Sequence, residues 1–307
     1  MCDSAAGRAN AGSGRGASSI GSLLRKPDGS TVHNGGMSQQ NLAQQSGPPL
    51  RRVAAARYVT PLREGGSLPA VVEGDDDGLY VLKFSGAGQG RRALVAELVA
   101  GELARALGLA VPEIVLMDLH ADLARTEADP EIQDLIRASV GLNLALDFLP
   151  GAAAYDPLVW QPDAALASTI VWFDAFVMNV DRTARNTNML LWHRRLWLID
   201  HGAALYFQHQ WDGYMERSTS PFAPIRDHVL LPFASALPEA DVACRERLQG
   251  DVIAEIVERI PDDWLRDTDT FPDAASQRQA YAAFLQARLA ASSTFLEEAV
   301  RARSLRV

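Results

Sequence analysis

Two apolar runs, MLLW at 189–192 and LWLI at 196–199, flank a basic turn, His193-Arg194-Arg195. Runs this short and this close have one economical fold: antiparallel strands joined by a tight turn. Polar residues bracket the pair. Asp181-Arg182-Thr183-Ala184-Arg185-Asn186 stands before the first run, and Asp200-His201-Gly202 follows the second. Folding the hairpin brings Asn186 and Asp200 to one end. Two hard oxygen donors at one point suit Mg²⁺, which takes few protein ligands and fills its shell with phosphates or water. Asp181, at the lip of such a site, is placed to accept a proton from an incoming hydroxyl. Each residue alone also suits a loop or a cap; their combination points to a site.

Upstream, the pattern is strand-like. RYVTPL (57–62), LPAVVEG (68–74) and LYVLKF (79–84) read as strands, separated by the turns REGGS and DDDG. ALVAELVAGELARALG (93–108) has helical spacing and stops at Gly108. VPEIVLMDL (111–119) is a further strand, a helix is expected near 129–139, and GLNLALDFLPGA (141–152) is a strand ending in Pro-Gly. Beyond it the chain reads mostly helical, interrupted by the hairpin. Strands with one helix followed by a helical half describe an α+β chain with two lobes.

Only two of the 29 basic residues are lysines: Lys26 near the start and Lys83 in the strand LYVLKF. A strand-end lysine can simply snorkel to solvent. In a chain this biased towards arginine, we read Lys83 as a compact point charge suited to phosphate oxygens. The loop GAGQG (86–90) is not a phosphate loop, because Arg91-Arg92 follow where Gly-Lys-Ser/Thr is required, and its glycines miss the dinucleotide spacing. We read it as a mobile connection. In the turn REGGS, the paired Gly65-Gly66 lets backbone amides approach an anion closely.

Net charge is −9, which argues against direct nucleic-acid binding. Cys2 and Cys244 form neither a disulfide framework nor a zinc pattern. His193, His201 and His209 also miss any common zinc spacing. No apolar run reaches the roughly 18 residues of a membrane span, and no secretory leader is evident. We expect a cytoplasmic protein with no membrane partner. Residues 1–48, rich in Gly, Ser, Ala, Asn and Gln, are expected to form a disordered low-complexity tail, the alternative being sequence upstream of the true start. Trp172, Trp192, Trp197 and Trp211 are expected to serve packing rather than base stacking.

The phrases REGGSLPA, YVLKF, LVAELVAGELARALGL, NVDRTARN and LWLIDHGAALYF together resemble a bacterial HipA-like kinase domain of the protein-kinase-like superfamily. The likeness begins near residue 55 and is weakest over the last seventy or so residues. It implies a two-lobed protein-kinase-like fold: residues 49–150 as a small β-rich N-lobe ending in a hinge, and 151–307 as a helical C-lobe. It implies ATP and Mg²⁺ as cofactors and transfer of the γ-phosphate to a hydroxyl acceptor, by resemblance a protein Ser/Thr. Lys83 would contact the α- and β-phosphates, paired with Glu97 or, as an alternative, Glu102. The backbone of Asp147 and Leu149 would hold adenine. Asp181 would be the catalytic base, and Asn186 and Asp200 the metal ligands, with Asn188 either a second ligand or a structural brace. Gly65, Gly66 and Ser67 would cover the phosphates, with Ser67 open to autophosphorylation. The alternatives are a nucleotide-binding pseudokinase or toxin–antitoxin-type regulatory module, with an antitoxin-like partner, and a kinase acting on a phosphoinositide or small-molecule hydroxyl. Two departures stand out. His201 replaces the usual Phe of protein kinases, and no His precedes Asp181-Arg182.

Overall fold

The structure, a computed structural model, describes residues 50–62, 68–265 and 269–306. The segment 1–48 and the Gly65-Gly66-Ser67 turn lie outside the described residues.

Strands β1 (Arg52–Pro61), β2 (Ala70–Gly74), β3 (Leu79–Lys83), β4 (Ile114–Leu119) and β5 (Gly141–Asp147) close into a barrel in the order β1-β2-β3-β5-β4. Neighbours are antiparallel except β1 and β4, which run parallel through Arg52–Ala54 and Leu116–Asp118. This parallel closure makes β1 start earlier than its apolar pattern predicts, since it must reach two partners. Alternation fills the interior with Val53, Val72, Tyr80, Leu82, Met117 and Ala145. The expected strand over 141–152 stops at Asp147, because Leu149 to Ala152 form a turn closed by the Ala152 amide on the Leu149 carbonyl at 3.2 Å. The connection after β3 is pinned rather than loose. The Ser85 amide donates to Asn143 Oδ1 at 2.7 Å and the Gly86 amide to Ser139 Oγ at 3.0 Å.

Helix α1 (Arg91–Ala106) is buried on nearly every side. One face meets the barrel, where Gly101 permits close approach: a Cβ there would lie 2.5 Å from Ile114 Cδ1. The rest joins the larger core, with α3 (Ala164–Phe176), α4 (Leu237–Arg247), α5 (Val252–Glu258), α6 (Ala274–Ala290) and α7 (Ser292–Ser304). The short α2 (Pro130–Ala138) lies against the barrel's own core through Ile132 and Ile136. Aspartates cap three helices. Asp129, Asp163 and Asp273 accept from the amides of Glu131, Leu166 and Ser276 at 3.0, 2.8 and 2.7 Å, each contributing about 1 kcal/mol.

The expected hairpin forms. Strands β7 (Met189–Trp192) and β8 (Arg195–Leu198) pair from Met189↔Leu198 to Trp192↔Arg195, and β6 (Ala153–Ala154) adds along β7. The turn holds two residues, His193 and Arg194, both at positive φ (48° and 61°). That is the type I′ geometry that matches strand twist. Arg195 belongs to the strand, not the turn.

Candidate active site

Lys83 ends β3, and its ammonium donates to Glu97 Oε2 at 2.6 Å and Asp200 Oδ1 at 2.5 Å. Burial works against a charged lysine, but the two carboxylates outweigh it and hold the ammonium above its ordinary value. Burial would likewise raise Glu97, yet Lys83 and His201 together hold it well below the usual carboxylate range. Glu97 also anchors the residue after Asp200. Its Oε2 accepts the His201 amide at 2.9 Å, and His201 Nδ1 lies 3.3 Å from Oε1. The alternative partner, Glu102, is engaged by Arg259 and lies 3.4 Å from Arg105. The contact to Lys83 therefore belongs to Glu97.

The hairpin ladder continues past its strands, with the Ile199 amide donating to the Asn188 carbonyl at 3.0 Å. This continuation puts Asp200 at the end of the hairpin where residues 181–188 approach. Asp200 adopts φ 59° and Asn188 φ 47°, left-handed conformations that Asp and Asn tolerate through local hydrogen bonding. Asp181 Oδ2 accepts from Asn186 Nδ2 at 2.8 Å and from Asn188 Nδ2 at 3.1 Å. Because an ionised carboxylate only accepts, the Asn186 amide must turn its nitrogen to Asp181, leaving Asn186 Oδ1 as a hard oxygen donor. Asp200 keeps Oδ2 beyond its bond to Lys83. The donor set thus fits a divalent cation with few protein ligands. Asn188 also donates to the Asp181 carbonyl at 3.0 Å and is buried, so it braces the loop. Among the described residues, no group of three or more His, Cys, Asp or Glu side chains is placed to hold a metal ion without a substrate's help.

A second carboxylate organises this loop, and it was not anticipated from sequence. Asp174, fully buried on α3, accepts from Arg182 Nε at 2.6 Å and Asn179 Nδ2 at 2.9 Å. His228 Nε2 lies 2.9 Å from it. Burial would raise Asp174, but the Arg182 charge and the His228 bond hold it below the carboxylate range. His228 itself is lowered by burial, which outweighs Asp174. The Leu230 amide donates to His228 Nδ1 at 3.0 Å, so a neutral ring carries its proton on Nε2 and gives it to Asp174. Arg182 Nη1 donates to the Asn188 carbonyl, tying both ends of the loop. Just before the loop, buried Arg288 donates to the carbonyls of Ala175 and Phe176 at 2.7 and 2.8 Å, capping the end of α3. The legible signal for Asp174 was a carboxylate within the apolar run IVWFDAFVM, since an ionised group there must be paired.

Asp147 and Leu149 stand at the other end of the barrel's last strand. The Asp147 amide donates to the Glu113 carbonyl at 2.9 Å, so its carbonyl is the backbone group left for a ligand. Among the described residues the Leu149 amide has no acceptor. The expected covering glycines, Gly65 and Gly66, and Ser67 lie outside the described residues.

A family model described as HipA-like kinase matches residues 56–295. No curated protein matches the chain. Among solved structures, a proinflammatory kinase of Helicobacter pylori, CtkA, is similar with a TM-score of 0.54 and 13% identity, covering 82% of this chain and 99% of its own. At that identity the likeness speaks to fold alone, a kinase-like fold of mixed helix and strand. The Golgi casein kinase with Mn/ADP bound shares 11% identity over 84% of this chain and 75% of its own, with a TM-score of 0.44, too low to carry weight.

Proposed function

The chain belongs to the HipA-like kinase family, and from that premise we propose an ATP- and Mg²⁺-dependent phosphotransferase acting on a protein Ser/Thr hydroxyl. The observation that carries this reading is Lys83 held between Glu97 and Asp200 at 2.6 and 2.5 Å, beside a hairpin end where Asp181 and Asn186 are bonded at 2.8 Å. Lys83, fixed by Glu97, takes the α- and β-phosphate oxygens. Asn186 Oδ1 and Asp200 hold the cation, which offsets charge on the transferred phosphoryl group. Asp181 spends Oδ2 on Asn186 and Asn188, leaving Oδ1 to receive the acceptor's proton. The Asp147 carbonyl and the Leu149 amide take the edge of adenine. On this reading, residues 49–150 are the N-lobe with its hinge and 151–307 the C-lobe. We further infer a cytoplasmic location, from the acidic, cysteine-poor composition, and an antitoxin-like partner, from the family.

Incubation with Mg²⁺ and γ-labelled ATP against a protein extract and phosphoinositides tests this. Label on protein serine or threonine is the expected result. Label on lipid or a small hydroxyl would replace the acceptor. Nucleotide binding with no transfer to any acceptor would favour the regulatory module, and no binding at millimolar ATP would overturn the reading.

A further inference from the structure

The segment after Leu149 is fastened along the strand that leads from the metal ligands. The Tyr155 amide donates to the Met189 carbonyl at 3.0 Å, Ala154 and Ala153 pair with Leu190 and Leu191, and Trp192 Nε1 donates to the Pro150 carbonyl at 2.9 Å. Strand β7 spans three residue steps, about 10 Å. One end leads to Asn186, and the other holds the turn that presents Leu149.

That turn is Leu149-Pro150-Gly151-Ala152, with Gly151 at φ 76° and the Ala152 amide on the Leu149 carbonyl at 3.2 Å. Pro followed by Gly at positive φ is the signature of a type II turn. Types I and II differ by a flip of the central peptide, whose carbonyl here is that of Pro150. The Trp192 N–H takes that carbonyl and so selects one of the two orientations. Trp192 is itself braced. Its ring packs edge-on to Trp197 at 5.4 Å, and Trp197 Nε1 donates to the Trp192 carbonyl at 3.3 Å.

We propose that Trp192 is a positioning residue for the nucleotide base: by holding the Pro150 carbonyl it locks the turn beside Leu149, and so registers the base-holding backbone against the metal end of β7. This rests on the functional reading above. It assigns a task to a side chain whose aromatic character alone suggested packing.

Trp192→Phe removes the donor and keeps a ring against Trp197. Gly151→Ala leaves the side chains alone and disfavours the type II turn, with open space around the added methyl. Calorimetry with Mg-ATP and with Mg-tripolyphosphate, which has no base, separates the two ends of the site. Both variants should bind Mg-ATP about fivefold more weakly, equivalent to about 1 kcal/mol. They should bind Mg-tripolyphosphate as wild type does, with KM for ATP raised, kcat unchanged and the thermal midpoint lowered by no more than about 2–4 °C. Wild-type affinity for ATP in both variants overturns the proposal. So does an equal loss for both ligands, since the disturbance would then reach the phosphate end. Wild-type protein that binds neither ligand sinks the functional reading and this proposal with it. Should Trp192→Phe fold poorly, Gly151→Ala reads out the same turn from its other side.

Discussion

Lys83 is shared by two carboxylates with different tasks. Glu97 is buried, also holds His201, and has nowhere else to send its charge. Asp200 is half exposed and gives Lys83 only one oxygen. Substitutions should therefore differ in kind. On the proposed reading Asp200→Asn removes the charge that would hold the metal, so calorimetry should show the Mg²⁺-dependent part of ATP binding weakened and transfer blocked. Asp181→Asn leaves metal and nucleotide in place. It should keep Mg-ATP-dependent thermal stabilisation while transfer falls by roughly a hundredfold or more. Lys83→Met should lose phosphate contact, and because it leaves buried Glu97 without its lysine counter-ion it should also lower stability, read by urea unfolding. Asp174→Asn is the structural counterpart. It leaves Arg182 buried without a counter-ion and should destabilise the protein by about 3–5 kcal/mol, measured by urea unfolding. A loss below about 1 kcal/mol would show that the loop does not depend on that pair.

At the scale of elements, the site is assembled by two connections. Helix α1 carries Glu97, and its first turn is held by the segment after Asp200. Buried Gln208 donates from Nε2 to the Arg92 carbonyl at 3.1 Å and accepts the Tyr281 hydroxyl at 2.7 Å. Gln208→Leu should break that link and reduce transfer more than it reduces stability. Equal loss of both would assign Gln208 to folding alone. The hairpin is the second connection, and its turn is strained by chemistry that glycine would relieve. Arg194 occupies a position at φ 61° where type I′ turns favour glycine. Arg194→Gly should stabilise by about 1 kcal/mol, a rise of about 2 °C in thermal midpoint, with activity unchanged. A fall in midpoint would mean that the arginine side chain contributes more than its backbone costs.

Across the whole molecule, buried ionisable groups give stability a pH dependence whose sign can be worked out. His228 is lowered in the folded state, so as pH falls the unfolded chain takes up its proton first. Stability from this group is complete above its unfolded value of about 6.5 and declines as pH falls towards its folded value. His209, lowered by burial and by Arg92, adds to the same window. Glu97 and Asp174 are also depressed, so their contribution holds above about pH 4 and is lost below it. Thermal midpoints should thus fall in two stages, and His228→Gln should flatten the upper one; an unchanged slope there would exclude His228 as its source. The sequence by itself revealed the succession of strands along the chain before and after α1 and the hairpin, and it singled out Lys83, Asp181, Asn186 and Asp200 as candidates. All of these follow from local alternation, turn chemistry or composition, which act over a few residues. Only the tertiary structure decided between Glu97 and Glu102, because both are buried on one helix and the choice turns on Arg259, 157 residues from Glu102. It alone joined Asp174 to His228 across 54 residues, spent the Asp147 amide on Glu113, and set Trp192 on Pro150. Buried polar groups must find partners wherever the chain brings them, and those partners are fixed by packing rather than by spacing along the sequence.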